Sequence, residues 1–205
     1  MHRGPWSVLV ALTLVVLIAC GPDGSGPGGT QEPELVFVEH DPLAPRLYNP
    51  RDSFWAKVGD GREVELYYRD AQNPDDYDVE LLRFEVPGDG LSLRPDGTPF
   101  GPGDSVLIIV SVVDSVRLLF QFSPAGLRFN PEHPARLRIR YLNADHDFDR
   151  DGAPDPDDAA IEMLLDIWHQ PAPGGPWFKL GGVKFEELDE IDVNILGFSR
   201  FAVAW

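Results

Sequence analysis

The densest concentration of chemistry in this chain is Asp147-Phe148-Asp149-Arg150-Asp151-Gly152-Ala153-Pro154-Asp155-Pro156-Asp157-Asp158. Carboxylates stand at loop positions 1, 3, 5, 9 and 12, with glycine at position 6. That is the spacing a hard divalent cation requires. Calcium takes about six to eight oxygen ligands at roughly 2.3–2.6 Å, so the chain must wrap the ion and turn sharply at the glycine. Asp147, Asp149 and Asp151 would supply side-chain oxygens and Ala153 its carbonyl. Asp155 would be a direct or water-mediated ligand and Asp158 the closing carboxylate. Five carboxylates so close repel strongly without a cation. The competing reading is a solvated Asp/Gly/Pro hairpin loop. The repulsion favours Ca²⁺, and at the affinity of extracytoplasmic modules, about 10⁻⁴–10⁻³ M, the ion would be structural rather than a sensor's.

Position 12 is Asp rather than the longer bidentate Glu, and a strand-like pattern precedes the loop. It therefore resembles the calcium loops of thrombospondin type 3 repeats more than an EF-hand. Other constellations carry less. Asp70–Asp78 lacks the glycine and the spacing, and reads as a solvated loop. Glu186-Glu187-Leu188-Asp189-Glu190 reads as a charged face or hairpin end. His40, His133, His146 and His169 show no paired metal-ligand spacing, although His146 adjoins the aspartate loop. Gly197-Phe198-Ser199-Arg200-Phe201 begins like a nucleophile elbow but lacks the second glycine. Ser199 has no neighbouring base and reads as a turn hydroxyl. Trp55, Trp168, Trp177 and Trp205 would make a sugar-stacking platform only if exposed together; aromatics at strand positions are mostly core. No P-loop or dinucleotide fingerprint occurs.

The single cysteine excludes a disulfide framework and any multi-cysteine zinc or iron–sulfur site. Its position is informative. An apolar run from Val8 to Ala19 follows His2 and Arg3 and is too short for a spanning helix, which needs roughly 20 residues. The run ends in Leu17-Ile18-Ala19-Cys20, which resembles the bacterial lipobox. That resemblance implies that 1–19 is a lipoprotein signal peptide and that Cys20 is diacylated and becomes the mature N-terminus. Acyl chains on Cys20 would hold the protein stably at a lipid bilayer. Gly21 stands where Asp would signal inner-membrane retention, so the outer membrane is the expected address in a Gram-negative host. Residues 20–34 are Gly/Pro-rich, and from Gly21 to Glu34 they hold no hydrophobic residue. They read as a flexible tether reaching about 20 Å.

Residues 35–205 have the length of one domain. Short segments rich in β-branched and aromatic residues alternate with Gly/Pro/Asp turns every 8–12 residues or so, which predicts an all-β, antiparallel β-sandwich with immunoglobulin-like layering. Strands are expected near Phe54–Val58, Arg62–Arg69, Val79–Val86, Ser105–Val113, Arg117–Phe122, Ala135–Tyr141, Ile161–His169, Trp177–Leu180, Ile191–Ile195 and Phe201–Trp205. In Arg136–Tyr141 apolar residues alternate with three arginines, and Val64, Leu66 and Tyr68 alternate with Glu63, Glu65 and Tyr67. Ser105–Val113 is apolar on both faces and reads as a central strand. Asp157–Trp168 also has helical spacing through Ile161, Leu164, Leu165 and Trp168, with strand favoured for its second half.

Phe122-Ser123-Pro124-Ala125-Gly126-Leu127-Arg128-Phe129, followed by Pro134-Ala135-Arg136-Leu137, is similar to a signature of the β-sandwich domain shared by ankyrins, netrin receptors and zonula-occludens proteins. The ending Gly197-Phe198-Ser199-Arg200-Phe201-Ala202-Val203 resembles that of bacterial lipoproteins carrying the same domain. The resemblance covers about Leu81–Trp205 and implies a non-catalytic interaction or scaffold module. Some animal relatives cleave their own backbone at a His-Phe-Ser turn. Gly197 stands in place of that His, so self-cleavage is not expected. The net charge of -17 argues against nucleic acid as a partner. The expectation is a non-enzymatic, lipid-anchored cell-envelope binding or structural module with an envelope protein or polysaccharide partner. A metal-assisted hydrolase of envelope polymers, built on the aspartates with His146, is the alternative.

Overall fold

The computed structural model describes residues 35–205; the segments expected to be a signal peptide (1–19) and a tether (20–34), with Cys20, lie outside the described residues. The strands are β1 (Arg51–Lys57), β2 (Arg62–Arg69), β3 (Tyr77–Val86), β4 (Leu91–Leu93), β5 (Ser105–Val112), β6 (Leu119–Ser123), β7 (Arg128–Phe129) and β8 (Ala135–Arg140). After helix α1 (Pro156–Glu162) come β9 (Asp166–Gln170), β10 (Phe178–Lys179), β11 (Val183–Phe185), β12 (Glu190–Ile195) and β13 (Arg200–Ala204). One sheet has the order β1-β5-β6-β13-β9-β10 and the other β11-β12-β8-β3-β2, with a short β4–β7 ribbon beside them. The architecture is the expected all-β antiparallel sandwich.

Alternation decides what faces the core. Val64, Leu66 and Tyr68 of β2 are buried, as are Ala135, Leu137 and Ile139 of β8, while their neighbours point outward. Strand β5 lies between β1 and β6 and buries Ile108 and Val110, but Leu107 on its other face remains exposed. The two sheets are held together by aromatic rings. Phe84 of β3 meets Phe54, Phe122, Phe129 and Phe198 with centroids 6.3, 5.2, 6.0 and 5.7 Å apart, and Phe122 meets Phe201 at 5.1 Å. Edge-to-face and tilted pairs of this kind add about 0.5–1.5 kcal/mol each beyond the area they bury. Leu127 and Phe129 point into this core after Gly126, which has φ +85° and so occupies the left-handed region that glycine tolerates.

The outward arginines of β8 are not merely solvated. Arg138 and Arg140 pair with Glu190 of β12 at 3.0 and 2.9 Å, and Arg136 and Arg138 both reach Asp192. The register places Arg140 opposite Glu190 and Arg138 opposite Asp192, so both acids are buried yet matched.

The strand expected over Ile161–His169 begins five residues later. Pro156–Glu162 is helical because Asp155 and Asp158 form a capping box and Pro156 opens the first turn, where its missing N–H costs nothing. Strand takes over at Asp166, and Ile167 enters the core between the flanking strands. Leu91–Leu93, Arg128–Phe129 and Val183–Phe185 are strands too short for alternation to reveal.

Phe84 is fully buried at the centre of the aromatic cluster. Phe84→Ala should lower the unfolding free energy by about 3–5 kcal/mol, measured by urea denaturation. A loss below about 1 kcal/mol would show that the sheets do not depend on this ring.

Candidate metal centre

The loop between β8 and α1 places its aspartates by backbone hydrogen bonds. Asp147 accepts from Asp151 N–H at 3.0 Å through Oδ1 and from Gly152 N–H at 2.9 Å through Oδ2. Asp149 Oδ1 accepts from the same Asp151 N–H at 3.0 Å. Gly152 has φ +117°, a conformation that a side chain would strain, and this is the sharp turn expected at position 6. These bonds draw Asp147, Asp149 and Asp151 together, with one carboxylate oxygen from each lying within 4.8 Å of the others. Each oxygen has a second lone pair beyond the N–H it accepts. The donor set is all oxygen, which suits a hard cation such as Ca²⁺ and not a soft transition metal.

The other expected ligands are placed differently. Asp155 is the N-cap of α1 and accepts from Asp157 N–H at 2.7 Å. Asp158 is buried; its Oδ1 accepts from Asp149 N–H at 3.1 Å and its Oδ2 from Asp155 N–H at 2.8 Å. It thus ties the start of the helix back to the middle of the loop. Ala153 is exposed, and its N–H lies 3.4 Å from Asp151 Oδ1. The structure therefore gathers three of the six expected ligands and uses Asp155 and Asp158 to hold the loop.

Electrostatics divides these carboxylates. The hydrogen bond from Asp151 N–H pulls the Asp149 pKa down, but desolvation and the charges of Asp151, Asp158 and Asp155 outweigh it, and the net shift is upward. Asp158 goes the other way. Desolvation would raise its pKa, but the N–H groups of Asp155, Asp149 and Phe148, with His146 nearby, bring it below the usual carboxylate range.

His146 does not join the aspartate group among the described residues. Its ring lies 5.5 Å from Phe148 and 6.4 Å from Tyr141, centroid to centroid. The remaining candidates are dispersed. Ser199 is fully buried, and its hydroxyl donates to the Gln170 carbonyl, so it satisfies backbone as expected, across strands instead of within its own turn. His169 stacks on Phe201 at 4.7 Å, and burial lowers its pKa. His133 lies 3.1 Å from Asp89. His40 Nδ1 shares a 2.9 Å hydrogen bond with Tyr68 at the base of a groove walled by Pro42, Pro45, Leu47 and Val116. Burial lowers the His40 pKa and raises that of Tyr68, leaving a neutral pair.

The four tryptophans among the described residues do not form a platform. Trp55 is exposed on β1, Trp168 donates to the Ala204 carbonyl at 3.0 Å, and Trp177 and Trp205 pack on Phe37 and Phe148. An aromatic cluster at the surface is instead formed by exposed Tyr48 and Tyr77 with half-buried Tyr67. Its one sequence signal is the outward phase of Tyr67 in β2, shared with Glu63 and Glu65. Comparison with protein-family models, curated proteins and solved structures finds no match to this chain.

The two shifted carboxylates give opposite pH behaviour. Asp158 has a depressed folded-state pKa, so its stabilisation is complete above the ordinary carboxylate value and is lost as pH falls through the depressed one. Asp158→Asn should flatten that acid-side loss in urea midpoints. Asp149 has a raised folded-state pKa, so its charge opposes folding at neutral pH. Asp149→Asn should raise the calcium-free urea midpoint at pH 7; a lower midpoint would contradict the repulsion.

Proposed function

We propose that the chain is a non-enzymatic, lipid-anchored binding or structural module of the bacterial cell envelope, stabilised by Ca²⁺ in the loop 147–158. The observation that carries the calcium assignment is the convergence of Asp147, Asp149 and Asp151 within 4.8 Å, with the Asp149 pKa raised by its neighbours. Oxygen donors alone, a glycine in the left-handed region at the turn and mutual repulsion all favour a cation there. The lipobox-like Leu17–Cys20 supports the anchor, and the resemblance of Phe122–Leu137 and Gly197–Val203 to sandwich interaction domains supports the binding class. Envelope protein and polysaccharide are the partner classes that this reading admits. A metal-assisted hydrolase would need His146 and two aspartates around an open position, and His146 stands outside the three-aspartate group.

Full-length protein in detergent should melt at a higher temperature in about 10 mM Ca²⁺ than in chelator. For dissociation constants of about 10⁻⁴–10⁻³ M, the linkage is roughly 1.4–2.7 kcal/mol, or a rise of some 3–10 °C. Asp151→Asn should abolish most of the rise. An unchanged melting temperature in the unmutated protein would remove the calcium assignment. Separately, Cys20→Ser should abolish incorporation of labelled fatty acid in the host. Labelling that persists in this variant would place the acyl chains on another residue and remove the Cys20 assignment.

A further inference from the structure

Strand β1 forms one edge of its sheet, and β2 forms the neighbouring edge of the other. Between them lies an open cleft of about 340 Å³ carrying three tyrosines. Tyr67 and Tyr77 have ring centroids 4.5 Å apart, and Tyr77 and Tyr48 5.6 Å apart. Tyr77 is 51% exposed and Tyr48 39%, so neither ring has been spent on the core. Tyr67 is nonetheless held in place. Asn49 Oδ1 accepts from Tyr67 N–H at 2.8 Å, and its Nδ2 donates to the Glu65 carbonyl at 2.8 Å, clamping the segment before β1 onto the edge of β2. The Tyr67 hydroxyl donates to the Glu65 carboxylate, and burial with that bond raises its pKa. Arg69 lies over Tyr48 at 5.5 Å.

Polar acceptors stand beside the rings. Asp52 and Glu63 are exposed on the cleft walls, and Glu63 is held only loosely, 3.6 Å from Arg83. A cleft of preorganised aromatic faces with carboxylates at its rim matches a ligand with flat C–H faces and peripheral hydroxyls. Asp52 accepts from Ser53 N–H at 2.7 Å, and an apolar ligand would take water from it and from Glu63 without adding a donor, which is costly. An anionic polymer would meet their charges and the surplus acidity of the whole chain.

We propose that this Tyr48–Tyr67–Tyr77 cleft binds a neutral glycan of equatorially linked pyranose rings. The sugar faces stack on Tyr77 and Tyr48, and the hydroxyls donate to Asp52 and Glu63. The assignment rests on the binding-module reading and names its ligand class and site. The cleft lies within the size range of small-ligand sites, roughly 300–1,000 Å³, and hydrogen bonds to Asn49 and Glu65 hold Tyr67 within it.

The test is calorimetric titration of full-length protein in detergent with cellohexaose and chitohexaose, and with hexagalacturonate as the anionic probe. A neutral oligosaccharide should bind in the millimolar range or tighter, and hexagalacturonate should not. Tyr77→Ala and Tyr48→Ala should each weaken binding about tenfold with an unchanged urea midpoint. Tyr77→Phe, which keeps the ring, should retain it. Binding that survives both alanine variants, or a preference for hexagalacturonate, overturns the cleft assignment. Silence towards both neutral oligosaccharides also overturns it. Where neither oligosaccharide binds, proximity labelling in the host separates the two ideas: a reproducible protein neighbour leaves the binding module standing without this cleft, and no neighbour counts against a protein partner as well.

Discussion

The chain has 34 carboxylate side chains and 17 lysines and arginines, so half of its acids have no base to meet. Where that surplus goes shapes the rest of the domain. An ionised carboxylate removed from water costs several kcal/mol unless it is paired and hydrogen-bonded. The second sheet solves this with alternating strands of charge. Glu190 sits between Arg138 and Arg140, and Asp192 between Arg136 and Arg138, while Glu80 and Glu65 share Arg83. The same register that seats Leu137 and Ile139 in the core sets these pairs on the opposite face, so a one-residue slip would lose both at once. Asp166 uses a different solution. It accepts from the N–H groups of Ile167 and Gly182, and Lys179 lies 3.8 Å away.

Much of this arrangement was legible in the sequence because β2 and β8 each bury one face and turn the other outward. Arg62–Arg69 is a strand over the very residues its alternation picks out, and Ala135–Arg140 differs from expectation by one terminal residue. What alternation does not carry is the partner across the ladder. Three arginines facing outward look the same whether they meet water or a buried acid, and only the pairing of β8 with β12 distinguishes these cases. The boundary at α1 was hidden for another reason. Ile161 and Leu165 suit either period, so the local choice falls to Asp155, Pro156 and Asp158, residues whose spacing also fits a metal loop.

That double meaning limits what a ligand spacing can say. A carboxylate near a helix start accepts N–H groups for the same reason that it binds calcium: it offers negative oxygens to positive charge or to aligned dipoles. Asp155 and Asp158 are occupied by the first turn of α1, whereas Asp147, Asp149 and Asp151 accept from the N–H groups of the loop itself. The two sets cooperate. Asp158 accepts from Asp149 N–H, so the helix cap also fixes the backbone from which one of the clustered carboxylates projects. A loop built in this way is preorganised by its own hydrogen bonds, and its charges are left concentrated.

Arg150 shows why the concentration persists. It is the only base within the loop, and it adopts φ +63°, a left-handed conformation that costs a side-chain-bearing residue some strain. From there its guanidinium pairs with Glu39 at 3.0 Å, away from the three aspartates. Glu39 belongs to the segment that docks on β13 through Val38 N–H to the Val203 carbonyl at 2.9 Å and joins the loop through Asp145 N–H to the Glu39 carbonyl, also at 2.9 Å. The base nearest to the cluster thus helps to hold the first described segment and leaves Asp147, Asp149 and Asp151 with backbone dipoles as their partners. An exposed ion pair of this kind is worth about 1 kcal/mol or less. Turning Arg150 inward would have offset part of the acid excess at little loss elsewhere. The loop keeps that excess instead, as three carboxylates gathered within 4.8 Å of one another.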